Sequence, residues 1–389
     1  MKTATPDTLE KSSQNTEVNG KAAFYRRIDW SIVGMVLAIK GLVFIAGWLS
    51  YHLMLDKRPA GFYGWLEMWH RWDALRYIRL AEKGYGGTGD SSDLVGFPLF
   101  PTLIRMLNFI VGDAMVSGFI VAGIASVAAA VLLHKLAQVD ENENVARNSA
   151  WFLLIFPTAY YLHINYTEGL FLAMAVGSFL FARKGNWKLA MAFGFLACMT
   201  RLNGLVLVPA LMVEAFQQYR ETRKWRMDWI LIAAIPLGFA VHLLINYNIT
   251  GNAFAFFEIG STHYHKALTP PWVGISQTYN RMFSTGAEDG ITNGTFELFF
   301  VLLGFAGIAA SAFWLRLAYT VWIAINWLIF TSTNFILSAP RYTLSLFPLF
   351  IIFAKLAERS FWYTVLTTAS LLFLGIFLAQ FVRGHWVFG

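Results

Sequence analysis

Residues 187–216, WKLAMAFGFLACMTRLNGLVLVPALMVEAF, form a long apolar run interrupted at its middle by TRLNG. About 20 helical residues cross a bilayer, so the run is long for one span and short for two. Its polar centre decides the reading: two short spans meet at an aqueous turn around Arg201. Topology follows from that choice. With the turn in place, and with FPLFPTLIRMLNFIV (97–111) as a re-entrant or interfacial helix, the basic segments ARKGNWK (182–188), QQYRETRKWRMD (217–228) and KLAERS (355–360) fall on one side. The positive-inside rule makes that side cytoplasmic. HINYTEG (163–169), TRLNG (200–204), LSAPRY (337–342) and the loops 61–96 and 249–293 then collect on the other. The rival parity, with 97–111 a true span and 187–213 one helix, puts ARKGNWK outside and scatters the polar motifs.

Composition agrees with a polytopic membrane protein, since the 389 residues are 57% hydrophobic, 17% aromatic and only 14% charged. Apolar runs lie near 30–53, 114–136, 149–162, 165–183, 187–216, 227–248, 294–315, 317–337, 340–357 and 361–382. They predict an all-α fold with about eleven crossings. The single cysteine, Cys198, excludes an intrachain disulfide and a zinc cluster of several thiolates, so helix packing must carry the fold. A net charge of +7 suits an anionic lipid surface, and no basic run interleaved with aromatics points to nucleic acid. Residues 1–22 are polar and read as a disordered cytoplasmic tail, Arg26 and Arg27 place the N-terminus inside, and 23–389 read as one integral membrane domain.

Chemistry concentrates in HRWDALRYIRLAEKGY (70–85). If 65–83 is one helix, His70, Asp73 and Tyr77 share a face, and Trp65, Trp69 and Trp72 form a neighbouring stripe that anchors at headgroup level. Asp73, desolvated at a water–membrane boundary and held ionised by Arg71, suits a general base. A salt bridge to Arg76 or Lys83, or a helix cap, is its structural alternative. Glu168 opens an apolar run, where an unpaired carboxylate costs roughly 2.5–3.5 kcal/mol at a span centre, so pairing with Arg201 stands beside a direct catalytic part. Arg201 and Arg341 are planar cations at span ends, matched to a phosphate. Lys40, inside the first span, reads as pairing with a neighbouring helix or snorkelling.

HRWDALRYIRLAEKGY followed by GFPLFP, then FPTAYYLHINYTEGLF, then ARKGNWKLAMAFGFLACMTRLNGL, in this order and spacing, resembles the PIG-V family of mannosyltransferases, within the GT-C class of membrane glycosyltransferases. The likeness covers 65–216, and SAPRYTLSLFP (338–348) is similar to an Arg-Tyr segment ahead of a late span in such enzymes. One departure is GGTGDSSDLVG, where relatives carry an acidic residue and aromatics. Asp90 and Asp93 either replace that acidic function or solvate a loop.

The resemblance implies a GT-C-like fold, an extracytoplasmic active site, and a donor sugar, mannose first, on polyprenyl or dolichyl monophosphate. It implies inverting transfer to a hydroxyl of a glycolipid, glycan or protein, with Asp73 as the base and Arg201 and Arg341 on the donor phosphate. His70, Arg71, Trp72, Tyr77, Tyr166, Glu168, Asn203 and Tyr342 are the binding or supporting candidates. No cofactor or metal is expected, although DSSD leaves a divalent ion open. Small loops suit a bacterial or archaeal plasma membrane. A flippase or exporter of lipid-linked sugars is the alternative function, but inverted repeats are not evident. A non-catalytic scaffold subunit would not need these carboxylates and arginines together.

Sidedness is testable. A cysteine at Asp93 or His263, in a Cys198→Ala background, is expected to react with an impermeant thiol reagent from outside intact cells, and one at Lys188 is not. The reverse pattern would overturn the topology.

Overall fold

A chain immersed in lipid must satisfy its backbone internally, and helices do so within one segment. The computed structural model describes residues 29–56, 59–87, 89–263, 265–286 and 288–388; the expected tail 1–22, with Arg26 and Arg27, lies outside them. The N-terminal half comprises α1 (Trp30–Leu55), α2 (Gly61–Glu67), α3 (Asp73–Lys83), α4 (Leu99–Val111), α5 (Ala114–Ala137), α6 (Glu143–Ile155), α7 (Glu168–Arg183) and α8 (Trp187–Thr200). Then come α9 (Leu207–Thr222), α10 (Leu237–Thr250), α11 (Ala255–Thr262), α12 (Pro271–Arg281), α13 (Glu297–Trp314), α14 (Leu317–Thr331), α15 (Ala339–Tyr342), α16 (Pro348–Leu356) and α17 (Ser360–Arg383). Side-chain oxygens mark several starts by accepting from orphan N–H groups: Asp29 from Ser31, Asp113 from Val116, Asn142 from Val145 and Asn186 from Leu189.

Five described helical stretches are long and apolar enough to cross a bilayer: 30–55, 114–137, 227–250, 290–314 and 360–383. A sixth crossing arises if the segments 339–345 and 348–356, bent by 86°, count as one span. Further crossings among the expected eleven would fall to shorter helices. The run 187–216 does divide: α8 stops at Thr200, Arg201 is extended at φ −156°, and a 3-10 turn (Leu202–Val206) leads into α9. Gly204 permits this, because a Cβ there would lie 2.5 Å from the Cys198 nitrogen and 2.6 Å from the Ala197 carbonyl carbon. The turn folds directly onto the end of α8.

The three basic segments meet in space. Arg226 donates to the Gly185 carbonyl at 2.8 Å, Arg183 pairs with Asp140, and Lys355 donates to Glu141 at 2.7 Å. At the same end, fully buried Glu214 accepts from Arg316 at 3.0 Å and Arg183 at 3.3 Å, tying α7, α9 and the α13–α14 junction together. Of the two residues chosen for outside labelling, His263 is exposed but Asp93 is buried, so the labelling test is read at His263.

The expected single helix over 65–83 is instead two helices. α2 ends at Glu67, Trp72 takes a left-handed φ of 52°, and Asp73 becomes the first residue of α3. The tryptophan stripe divides accordingly. Trp69 is fully buried, edge-on to Phe44 at 5.1 Å and stacked near Phe381 at 6.5 Å, whereas Trp72 is half-exposed against Trp386 at 5.2 Å. Trp69 thus pins the turn onto α1 and α17, occupying the space over Gly47 that any side chain would fill. Periodicity shows only which residues could share a helix face, and the space above Gly47 draws Trp69 inward.

Replacing the pin should cost more than replacing its neighbour. Trp69→Ala is expected to remove about 3–5 kcal/mol, as for other buried aromatic truncations, and to lower the melting temperature in detergent. Trp72→Ala is expected to cost under about 1 kcal/mol. Equal losses would restore the single interfacial stripe.

Candidate active site

Four interruptions of helical structure bring the charged groups together: the start of α3, the start of α7, the break after α8, and the short arm α15. Arg341 Nη1 donates to Asp73 Oδ2 at 2.9 Å, and its Nε donates to Glu168 Oε1. Arg201 Nη1 donates to the same Glu168 oxygen at 2.6 Å and lies 3.4 Å from Thr167 Oγ1. Arg76 Nη1 completes the series, donating to Asp73 Oδ1 at 3.0 Å. The result is an alternating chain, Arg76–Asp73–Arg341–Glu168–Arg201. Asp93, 3.9 Å from Arg76 Nε, adds a third carboxylate at the outer end of this chain, so Arg341 and Arg201 are the cations shared by the site carboxylates alone.

Aromatic faces flank the arginines. The Arg341 guanidinium lies 4.7 Å from the Tyr166 ring centre and 5.1 Å from that of Tyr161, and Arg201 lies 5.4 Å from Tyr342 and 5.9 Å from Phe171. Such faces favour a desolvated cation. Side-chain exposure grades the site, with Arg341 at 4% and Glu168 at 3% forming the floor, and Arg201 at 18% and Asp73 at 25% nearer the opening. Burial would raise the Asp73 carboxyl, but Arg341 and Arg76 outweigh it and hold the group at about 2. Asp73 is therefore a carboxylate throughout the physiological range. A phosphate entering here would meet cations already oriented for it, and a hydroxyl at the mouth would meet an ionised oxygen.

Other candidates are placed differently. Arg71 does not hold Asp73; its Nε donates to the Met68 carbonyl at 3.0 Å and its Nη2 to the Val382 carbonyl at 2.9 Å, because the turn at Trp72 sends it towards the end of α17. Tyr166 combines two contacts, its ring against Arg341 and its hydroxyl donating to the Arg71 carbonyl at 3.0 Å. Tyr77 is buried edge-on to Phe100 at 5.4 Å, and burial raises its phenol pKa. His70 precedes α3; burial lowers its pKa, and its Nε2 has no hydrogen-bond partner among the described residues. Asn203 donates to Asn326 Oδ1 at 2.7 Å and ties the Arg201 break to α14. Tyr342 stands beside Arg201, and Lys40 lies over Phe44 at 5.6 Å and against Gly123 of α5.

Asp90 and Asp93 do not simply solvate their loop. Arg79 donates to Asp93 at 2.8 and 2.5 Å and to Asp90 at 3.3 Å, so an ion at DSSD would have to displace an arginine. Among the described residues one group of three ligand-type side chains, Asp29, His134 and Glu143, is close enough to share a metal; its His134 lies towards the C-terminal end of α5. The salt bridge of Asp73 to Arg76, offered by their i+3 spacing as the structural alternative, is present, and it makes Arg76, which was not among the site candidates, a member of the charge chain. Sequence reasoning missed Tyr161, for which no signal stood out.

Residues 61–273 match the family described as Mannosyltransferase (PIG-V). GPI mannosyltransferase 2 of Schizosaccharomyces pombe is 26% identical over 147 residues, 35% of this chain and 30% of that protein. In structure, the chain is similar to ArnT from Cupriavidus metallidurans, solved bound to undecaprenyl phosphate, with a TM-score of 0.50, 15% identity, and coverage of 83% of this chain and 60% of that one. An Archaeoglobus fulgidus oligosaccharyltransferase, solved with a tethered acceptor peptide, gives a TM-score of 0.47 at 13% identity, over 90% of this chain and 55% of that one. The matched regions take in less than two thirds of each of these relatives' lengths. At such identity the likeness to ArnT bears on the fold alone, which is the all-helical, GT-C-like fold expected from the sequence. With the family match spanning more than half of its residues, the chain belongs to the PIG-V mannosyltransferase family.

Proposed function

We propose that this protein is an inverting glycosyltransferase that moves a sugar, mannose by family membership, from a polyprenyl or dolichyl monophosphate to an acceptor hydroxyl on the extracytoplasmic side of a bacterial or archaeal plasma membrane. The observation that carries the reading is Arg341 shared between Asp73 and Glu168, with Arg201 on the same glutamate. Asp73 takes the acceptor proton as that oxygen attacks the anomeric carbon. The bond from that carbon to the phosphate oxygen breaks, and its electron pair leaves with the lipid phosphate. Arg341 and Arg201 stabilise the charge gathering there, and Glu168 holds both at a fixed separation. The acceptor is a glycolipid, glycan or protein hydroxyl, and GPI is one glycolipid among these.

A carboxylate held at about 2 is a weak proton acceptor. In this scheme the donor phosphate draws Arg341 towards itself, loosens its hold on Asp73 and raises the base's affinity for a proton. The donor thereby readies the base.

Asp73→Asn is expected to fold, because Glu168 still pairs with Arg341, and to lose transfer by at least the roughly 10²–10⁴-fold credited to general acid–base catalysis. Near-wild-type turnover with purified lipid donor would remove Asp73 from the role. A flippase would largely tolerate the change.

The pH profile offers a second check. The acid limb of kcat/KM, set by the free enzyme, should lie close to the resting Asp73 value of about 2. That of kcat, set by the complex, should move up towards the ordinary carboxylate value near ~4. Coincident limbs would show that the donor does not release Asp73. The same depressed pKa contributes stability above about pH 4 that is lost as pH falls towards 2.

A further inference from the structure

Arg341 sits on a helix of four residues, too short to hold its own direction. What aims it lies outside that helix. Glu297, the first residue of α13, is fully buried, and its two carboxylate oxygens accept from consecutive backbone groups, Ser338 N at 2.5 Å and Ala339 N at 2.7 Å. Ser338 is in the left-handed region at φ 71° and Ala339 begins the helix, so their N–H groups converge on one point. Such a turn forms an anion-binding concavity. Here the anion is a side chain of the same chain.

Each half of this contact is unfavourable alone. A left-handed serine is disfavoured by its Cβ, and a buried carboxylate near a span is costly without donors. Together the carboxylate gains two donors and the turn gains its acceptor. Thr158 Oγ1 adds a third fastening, donating to the Pro340 carbonyl at 2.9 Å. Three residues after Ser338, the Arg341 guanidinium reaches Asp73 and Glu168 at once.

We propose that Glu297 is a positioning residue: by clamping the Ser338–Ala339 turn it aims Arg341 between the two carboxylates of the site. Both its oxygens are engaged by the turn, so it acts through Arg341 and touches no substrate. The inference rests on the proposed role of Arg341 as a phosphate ligand.

The test uses the full chain in nanodiscs with a purified polyprenyl-phosphate mannose donor, measuring kcat, donor KM and melting temperature. Glu297→Gln keeps an acceptor for one N–H group, and Glu297→Ala keeps none. Turnover is expected to fall on the order of tenfold in Ala and by less in Gln, the scale of losing a charge-assisted contact, with donor KM moving less than kcat. In an Arg341→Lys background, Glu297→Ala should cost little more, because the geometry it maintains is already lost. Losses that multiply between the two sites would place the effect of Glu297 elsewhere in the fold and overturn the proposal. So would wild-type turnover in Glu297→Ala or, if that variant does not fold, in Glu297→Gln with wild-type donor KM. Wild-type turnover in Arg341→Ala would instead defeat the phosphate-clamp reading itself, a separate outcome.

Discussion

A single guanidinium shared between two carboxylates organises this protein. Arg341 is 268 residues from Asp73 and 173 from Glu168 in sequence, so its two ion pairs fix three distant elements against each other. Taking these groups out of water is costly, and the attraction offsets that cost only when geometry is good and further hydrogen bonds complete each group. Arg76 supplies such a bond to the second oxygen of Asp73, Arg201 adds one to the Glu168 oxygen that Arg341 already holds, and Tyr161 and Tyr166 cover the faces of the cation. Removing one member would leave its partners charged and poorly satisfied, so the cluster is best regarded as one unit.

The cluster exists because helices stop. Asp73 follows a left-handed tryptophan, Arg201 is an extended residue between α8 and a 3-10 turn, and Arg341 follows a left-handed serine. An uninterrupted helix would bury its backbone but present side chains only sideways. Each break frees peptide groups that lipid cannot satisfy, and such breaks persist at membrane depth only where protein or a cavity surrounds them. Glu297 meets that need at Ser338 and Ala339, whereas at Arg201 the backbone meets it alone, its N–H donating to the Ala197 carbonyl at 3.1 Å and its carbonyl accepting from Gly204 N at 3.0 Å. At the Arg341 arm a buried polar side chain thus serves the backbone that presents the site.

Some of these breaks were legible in the sequence and others were not. TRLNG announced its break by placing an arginine and a glycine inside a run too long for one span, and Gly204 is indeed the residue that lets the turn close. Residues 68–72, MWHRW, contain neither glycine nor proline and carry helical periodicity, so nothing local signals that the chain turns there. The cause is tertiary: Trp69 fills the space over Gly47, more than 20 positions away. Arg71 failed as the partner of Asp73 for the same reason, since adjacency in sequence becomes divergence once the turn forms. Glu297 was invisible as a support because its partners are backbone N–H groups, which every sequence contains.

Between the two buried-site carboxylates, their surroundings favour Asp73 over Glu168 for proton transfer under the proposed reaction. One oxygen of Glu168 already accepts from two guanidiniums, and the group is nearly sealed on the floor of the site. Its other oxygen, Oε2, has no hydrogen-bond partner among the described residues but is sealed from solvent, so a proton taken there would find no route back to water. Asp73 is more open and takes one guanidinium on each oxygen, so release of Arg341 alone leaves an oxygen with an unoccupied lone pair. Its place at the first position of α3 puts the resting anion at the positive end of the helix dipole. The two acids thus divide the work by geometry: the buried one spaces the arginines, and the more accessible one can exchange an arginine for a proton.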